Sequence, residues 1–196
     1  MTTVTNTSLL NGLRDHNNTR VWGEFYARYQ PMLTAFGKRL GLQEQDAQDA
    51  AQEALLGFVS AYREGAYDRD KGRLRTWLFG IAAHKVRDIQ RKRGKELVIV
   101  DEADSTRFLN KVPDDHSISE VWEAEWARAI LRECLEQVRQ QVKPRTMEAF
   151  ELFALRGWPA EKVAAHLEIT ENAVWIAKNR VVSRLRKMQE YLEENW

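Results

Sequence analysis

Two neighbouring stretches of the chain differ sharply in charge: residues 46–56 read DAQDAAQEALL, and residues 72–93 read GRLRTWLFGIAAHKVRDIQRKR. The first has three acids and no Lys or Arg. On a helix its polar members lie three or four residues apart and share one face: Asp46, Asp49, Gln52 and Glu53. The second has cations on one side of a helix and apolar residues on the other. The two stretches therefore predict consecutive helices, one with an acidic face and one with a basic face.

The acidic face has more than one interpretation. Acids near a helix start complement the helix dipole, but Gln52 and Glu53 lie too far along the helix for this. A metal–carboxylate site would need a Glu-x-x-His partner, which the sequence lacks. An acidic face without cations suits docking on a basic protein surface. The basic helix suits nucleic acid, because several of its cations can reach phosphates: Lys85, Arg87, Arg91, Lys92 and Arg93.

Charge is distributed unevenly over the 196 residues, although the formal net charge is only +1. Residues 71–95 hold nine Lys or Arg and one acid, and residues 172–187 hold five and none. Between them, residues 96–120 hold seven acids and two cations. Two basic patches fit a protein that binds a polyanion at two places. The alternative is that these patches are ordinary solvated helix faces.

Apolar residues recur at helical spacing over most of the chain. They predict helices from about Trp22 to Leu40, from Glu44 to Arg63 and from Arg73 to Arg93. Residues 96–120 lack this periodicity and read as a flexible linker. The sequence therefore predicts an all-α protein with two helical domains, residues 1–95 and 121–196, joined by the linker.

Several classes of function find no support in the sequence. Cys134 is the only cysteine, and the four histidines have no metal-ligand spacing. No glycine-rich phosphate loop and no nucleophile–base pair is recognisable. We therefore expect no metal, cofactor, small-molecule substrate or catalytic activity. The start of the chain lacks signal-peptide features, and no apolar run could span a bilayer, which predicts a cytoplasmic protein without a membrane role.

A third motif lies between Trp158 and Met188. Pro159 suits the first turn of a short helix, Glu168 and Ile169 a turn, and Thr170 the N-cap of a longer helix. This pattern predicts a helix-turn-helix whose second helix enters the major groove by its N-terminal end. The candidates for contact with bases are Glu171, Asn172, Trp175, Lys178 and Asn179, and those for the backbone are Arg180, Arg184, Arg186 and Lys187. Trp175 and Ile176 are unusual there, and could contact a thymine methyl or pack on another protein.

These blocks together resemble one family. DAQDAAQE resembles the DAEDLVQE signature of the extracytoplasmic-function (ECF) group of the sigma-70 family of RNA polymerase sigma factors. The basic block resembles the family's F-R-x-W-L-x-x-I-A segment, with matches that continue to the end of the block: Arg75, Trp77, Leu78, Ile81, Ala82, Asp88 and Arg91. The helix-turn-helix follows in the family's order and spacing.

The resemblance implies a factor that directs core RNA polymerase to promoters, helps to melt the -10 element and binds the -35 element. By this resemblance the first domain binds core polymerase through Asp46, Asp49, Gln52 and Glu53. The implied contacts to the -10 element are Tyr67, Arg69, Lys71, Arg73, Arg75, His84, Lys85, Arg87, Arg91 and Lys92. Those to the -35 element are Thr170, Glu171, Asn172, Trp175, Lys178, Asn179, Arg180 and Arg184. The implied partners are bacterial core RNA polymerase and promoter DNA, and many members of the family also have an anti-sigma factor.

Two other hypotheses stay open. A two-domain regulator would bind duplex DNA tightly without polymerase. A helical interaction protein, or an enzyme whose site is not readable, would bind neither polymerase nor DNA at modest salt.

Overall fold

The computed structural model describes residues 6–15, 17–67, 74–100 and 115–195. Within these residues the fold is all-α, as predicted, with no strand. The α-helices are α1 (Asn6–Gly12), α2 (Thr19–Arg39), α3 (Glu44–Arg63), α4 (Leu74–Val100), α5 (Asp115–Gln141), α6 (Pro144–Phe150), α7 (Ala160–Leu167) and α8 (Glu171–Asn195). A π-helical turn, Glu151–Leu155, continues α6. The chain divides into two compact units, Met1–Trp126 and Ala127–Trp196, called here the N-terminal and C-terminal units.

The connection between α2 and α3 is a tight reversal. Gly41 has a φ of +90°, the left-handed conformation that commonly ends a helix and that glycine adopts without strain. The Leu42 amide donates to the Gly37 carbonyl at 3.1 Å, and the Gly41 amide donates to the Lys38 carbonyl at 3.0 Å. Gly37 lies so close to α3 that an added Cβ would be 3.2 Å from the Cβ of Ala47. The absence of a side chain at Gly37 thus lets α2 and α3 pack closely.

The core of the N-terminal unit is centred on Phe58 of α3, which is fully buried. Its ring lies 5.2 Å from that of Phe25 on α2 and 5.2 Å from that of Trp77 on α4, measured between centroids. The buried side chain of Gln90 on α4 donates to the Leu40 carbonyl at the end of α2, at 2.9 Å. One aromatic cluster and one buried hydrogen bond therefore tie the three helices together.

The helices extend into both ends of the predicted linker. Helix α4 continues to Val100, and α5 begins at Asp115 rather than near Val121; the middle of the linker, residues 101–114, lies outside the described residues. Ile118 and Trp122 on the first half of α5 are buried within the N-terminal unit. The ring of Trp122 lies 5.3 Å from that of Phe36 on α2. The start of α5 is therefore helical because its apolar stripe, repeated every four residues, is covered by this unit.

The C-terminal unit has a core that joins α7 to α8. Val163, Val174 and Val181 are fully buried, and Leu152 of the π-helical turn packs into the same unit. Cys134 of α5 is also buried, and desolvation raises the pKa of its thiol to about 11. The thiol is therefore protonated at neutral pH and a poor nucleophile. In the described part of the chain, no helix has the length and apolar character needed to cross a bilayer.

Replacing Phe58 by Ala should destabilise the N-terminal unit by about 3–5 kcal/mol, because the change removes a buried ring and leaves a cavity between three helices. Urea unfolding followed by circular dichroism measures the loss. Leu56→Ala is the matched control, since Leu56 lies on the same helix and is 52% exposed. A loss below about 1 kcal/mol for Phe58→Ala would contradict this description of the core.

Candidate functional site

Helix α3 separates its small apolar residues from its acids. Ala47, Ala50, Ala54 and Leu55 are buried, whereas Asp49, Gln52 and Glu53 are exposed and Asp46 is partly buried. Just ahead of this face, hydrogen bonds from Lys38 and Gln48 lower the pKa of the Glu44 carboxyl, so Glu44 is ionised at neutral pH. The predicted acidic face is therefore present on the surface of the N-terminal unit, and it extends from Asp46 over two turns of α3.

The basic helix α4 lies directly beside this acidic face. The Lys85 ammonium is 3.0 Å from the Glu53 carboxylate, and Arg93 pairs with Asp46. All four side chains remain partly or fully exposed, and ion pairs at a protein surface contribute about 0–1 kcal/mol each, so these two pairs add little to the stability of the fold. The sequence assigns the acidic face to a protein partner and the basic face to nucleic acid; in the structure the two faces share a border, where Lys85 pairs with Glu53 and Arg93 pairs with Asp46.

The other candidates for contact with the -10 element differ in their exposure and in the side chains they pair with. Arg69, Lys71 and Arg73 lie outside the described residues. His84 lies 3.0 Å from the Asp88 carboxylate, and Arg91 lies 3.7 Å from it. Arg87 is partly buried, and Lys92 is exposed. The structure thus gathers Lys85, Arg87, Arg91 and Lys92 on one helix.

Arg75 has a structural partner that the sequence did not suggest. It pairs with Glu123 of α5, and its guanidinium lies 5.2 Å from the centroid of the Trp126 ring. A second pair joins Arg39 of α2 to Glu125 of α5, at 3.3 Å, and the Glu125 side chain is only 6% exposed. Arg75 therefore helps to hold the first half of α5 on the N-terminal unit.

Tyr67, one of the residues implied to contact the -10 element, lies against the aromatic core. Its ring stacks on Trp77 with centroids 5.0 Å apart and an interplanar angle of 21°, and it lies 5.9 Å from the ring of Tyr62. Tyr67 is partly buried in this position. The cluster therefore anchors the start of the loop that follows α3.

The helix-turn-helix motif has the local geometry that its sequence predicts. The hydroxyl of Thr170 accepts a hydrogen bond from the Ala173 amide at 3.1 Å, which caps α8. Glu168 makes the turn in the left-handed conformation, with a φ of +50°. Arg145, which sequence analysis missed, donates hydrogen bonds to the carbonyls of Leu167 and Glu168. Arg145 satisfies carbonyls that the end of α7 leaves free, and it fixes the turn between the two helices.

The outer face of α8 presents most of the predicted contacts for the -35 element. Five of these residues are exposed: Glu171, Asn172, Trp175, Asn179 and Arg180. Lys178 and Arg184 are partly buried. The face thus combines amides, cations and one large aromatic ring, a set suited to base edges and phosphates in a major groove. No group of His, Cys, Asp or Glu able to hold a metal ion occurs among the described residues.

Comparison with known proteins found relatives for much of this chain. Residues 25–96 match the family model for sigma-70 region 2, a range that covers most of α2, all of α3 and most of α4. The chain is 30% identical over 151 residues to the ECF RNA polymerase sigma factor ShbA of Streptomyces griseus, an alignment that covers 73% of this chain and 71% of ShbA. It is 29% identical over 153 residues to the ECF RNA polymerase sigma factor SigD of Mycobacterium tuberculosis and of Mycobacterium bovis. That alignment covers 76% of this chain and 66% of SigD, just under two thirds of its length.

These matches place the chain in the sigma-70 family. Within that family, the chain belongs to the ECF RNA polymerase sigma factors.

Replacing Thr170 by Ala should loosen the start of α8, because the Ala173 amide loses its acceptor. The loss of an N-cap costs about 1 kcal/mol, which corresponds to roughly fivefold faster hydrogen exchange at that amide. Exchange measured by NMR at Ala173 tests this, with Thr170→Ser as the control that keeps the hydroxyl. Equal exchange rates in the wild-type protein and Thr170→Ala would show that the cap does not stabilise the helix.

Proposed function

We propose that this protein directs bacterial core RNA polymerase to specific promoters, with its N-terminal unit binding core polymerase and the -10 element and its C-terminal unit binding the -35 element. The main support for this proposal is the arrangement of the N-terminal unit, where an exposed acidic face on α3 borders a basic face on α4. Such an arrangement suits a surface that meets a basic protein on one side and DNA phosphates on the other. The protein would act in the cytoplasm, where core polymerase and DNA are present. It would act only by binding to them, without bond chemistry of its own.

The acidic face is the proposed docking surface for core polymerase. Asp49, Gln52 and Glu53 are exposed and lie on a rigid helix whose opposite side is packed in the core. The helix backbone needs no reordering on binding, and complementary charge speeds association and fixes the register. A regulator that binds only duplex DNA would gain nothing from an acidic face beside its cations.

The border between the two faces would link the two binding events. In the free protein Glu53 pairs with Lys85, and Asp46 pairs with Arg93. A basic polymerase surface that takes up Glu53 and Asp46 would compete with these two cations. Lys85 and Arg93 would then be available to phosphates of the promoter, so that DNA binding by α4 would be favoured after docking on polymerase.

Recognition of the -10 element would combine phosphate contacts from α4 with capture of an unstacked base by the loop after α3. Unstacking a base costs a few kcal/mol and needs a pocket or an aromatic partner to offset it. Tyr67 stacks on Trp77, so this ring pair would provide an aromatic surface next to the unstacked base. An anti-sigma factor is a further proposed partner, by analogy with many members of the family.

The double variant Asp49→Ala with Glu53→Ala should weaken binding to purified core polymerase by about tenfold or more, because it removes two interface charges. Fluorescence anisotropy of the labelled protein titrated with core polymerase measures this affinity. The control is Glu24→Ala with Glu64→Ala, which removes two acids outside the face. Equal affinities for the two double variants would contradict the proposed docking surface.

The variant Arg184→Ala should weaken binding of the polymerase complex to promoter DNA of any sequence. It should also lower the slope of log affinity against log salt by about one, since a lost phosphate contact releases one fewer counterion. Arg132→Ala is the matched control, because Arg132 is exposed in the same unit but lies outside the helix-turn-helix. An unchanged slope for Arg184→Ala would remove Arg184 from the phosphate contacts.

A further inference from the structure

Trp175 occupies the centre of the outer face of α8. It is 46% exposed and lies in the second turn of the helix. Glu171 and Asn179 stand four residues before and after it, so all three share one side. A tryptophan exposed at this place is unusual, because large apolar rings are normally covered.

The ring of Trp175 is held in place by neighbours in the same unit. Phe153, on the π-helical turn, meets it edge to face, with centroids 4.8 Å apart and an interplanar angle of 71°. The ammonium of Lys178 lies 5.2 Å from the centroid of the Trp175 ring and 5.8 Å from that of Phe153. Phe153 in turn packs against the buried core of the helix-turn-helix. The Trp175 ring is therefore presented in one orientation and loses little freedom when it binds.

The charge around Trp175 favours DNA as the group that covers it. Within five residues of Trp175 in the sequence there are two cations, Lys178 and Arg180, and one acid, Glu171, and residues 181–187 add three more cations and no acid. Asn172 and Asn179 add amide groups of the kind that read base edges. A major groove presents one apolar group to a protein, the C5 methyl of thymine, and aromatic side chains make contact with it.

We propose that Trp175 is a specificity-determining residue that contacts the C5 methyl group of one thymine in the upstream promoter element, and that Phe153 is the positioning residue for its ring. This inference rests on the proposed function of the C-terminal unit as the reader of that element. It adds the identity of the base and a second residue, Phe153, from outside the helix-turn-helix.

The test is a double-mutant cycle between the protein and single methyl groups of the DNA. The probe is a promoter fragment on which the polymerase reconstituted with this protein initiates transcription. Each thymine of the upstream element is replaced in turn by deoxyuridine, which removes only the methyl group. For the wild-type protein, one replacement should weaken binding about fourfold, the value expected for one buried carbon at roughly 0.8 kcal/mol.

Trp175→Ala should bind the thymine and uracil versions at that position equally, and Trp175→Phe should keep part of the difference. Phe153→Leu should reduce the difference while the helix content, measured by circular dichroism, stays the same. The control is Leu131→Ala, which removes an apolar side chain of similar exposure, 52%, on α5 of the same unit and outside the helix-turn-helix. It should keep the full difference.

Each result decides the inference. The inference would be overturned if no replacement of thymine by deoxyuridine weakened binding of the wild-type protein. This measurement involves no protein variant. A Trp175→Ala variant that keeps the fourfold difference would also overturn it, as would one that loses affinity for core polymerase and not for DNA, which would identify a protein-docking residue. Failure to initiate on any fragment would overturn the proposed function as well, whereas initiation without a methyl effect would overturn this inference alone.

Discussion

The packing of the alanine-lined side of α3 against its neighbours is the constraint on which the N-terminal unit depends. Buried alanines and the close approach at Gly37 bring α2 near α3, and Phe58 fills the space towards Phe25 and Trp77. Because this side of α3 is committed to the core, its acids can only face outward. The same packing places α4 alongside α3, so that acidic and basic faces meet at one border. The proposed binding surface of this unit is thus a direct consequence of how its core is packed.

In the C-terminal unit, different side chains hold the helices together. A helix-turn-helix must hold two consecutive helices, α7 and α8, at a fixed angle. Valines on both helices provide the shared core, Glu168 turns the chain, and Arg145 bonds the exposed carbonyls of the turn. Asn172, Asn179 and Arg180 on the outer face of α8 are exposed and take no part in this core, so that face can present amides and a cation beside the Trp175 ring.

Much of this architecture follows from local sequence. The bounds of α3 agree with the prediction, because its apolar period is regular and Gly41 marks the end of α2. Thr170 caps α8 as predicted, since a cap depends only on residues close in sequence. The start of α5 was placed too late, because Ile118 is a single apolar residue in a polar stretch and its burial depends on a surface distant in sequence.

Contacts between distant parts of the chain account for what the sequence could not predict in the site. The pairing of Lys85 with Glu53 needs two helices at a particular angle and register, which periodicity does not specify. The same holds for Arg145 at the turn and for Phe153 beside Trp175. The identity of the residues on each face was predictable, whereas their partners were not.

We propose above that the chain gives core polymerase a promoter specificity that core polymerase lacks. The most direct measurement is transcription in vitro on a fragmented genomic library, with purified bacterial core polymerase and with or without this protein, followed by sequencing of RNA 5′ ends. From this proposal we expect new start sites that share two upstream sequence elements at constant spacing. With active core polymerase and folded protein, the same start sites in both reactions would contradict it.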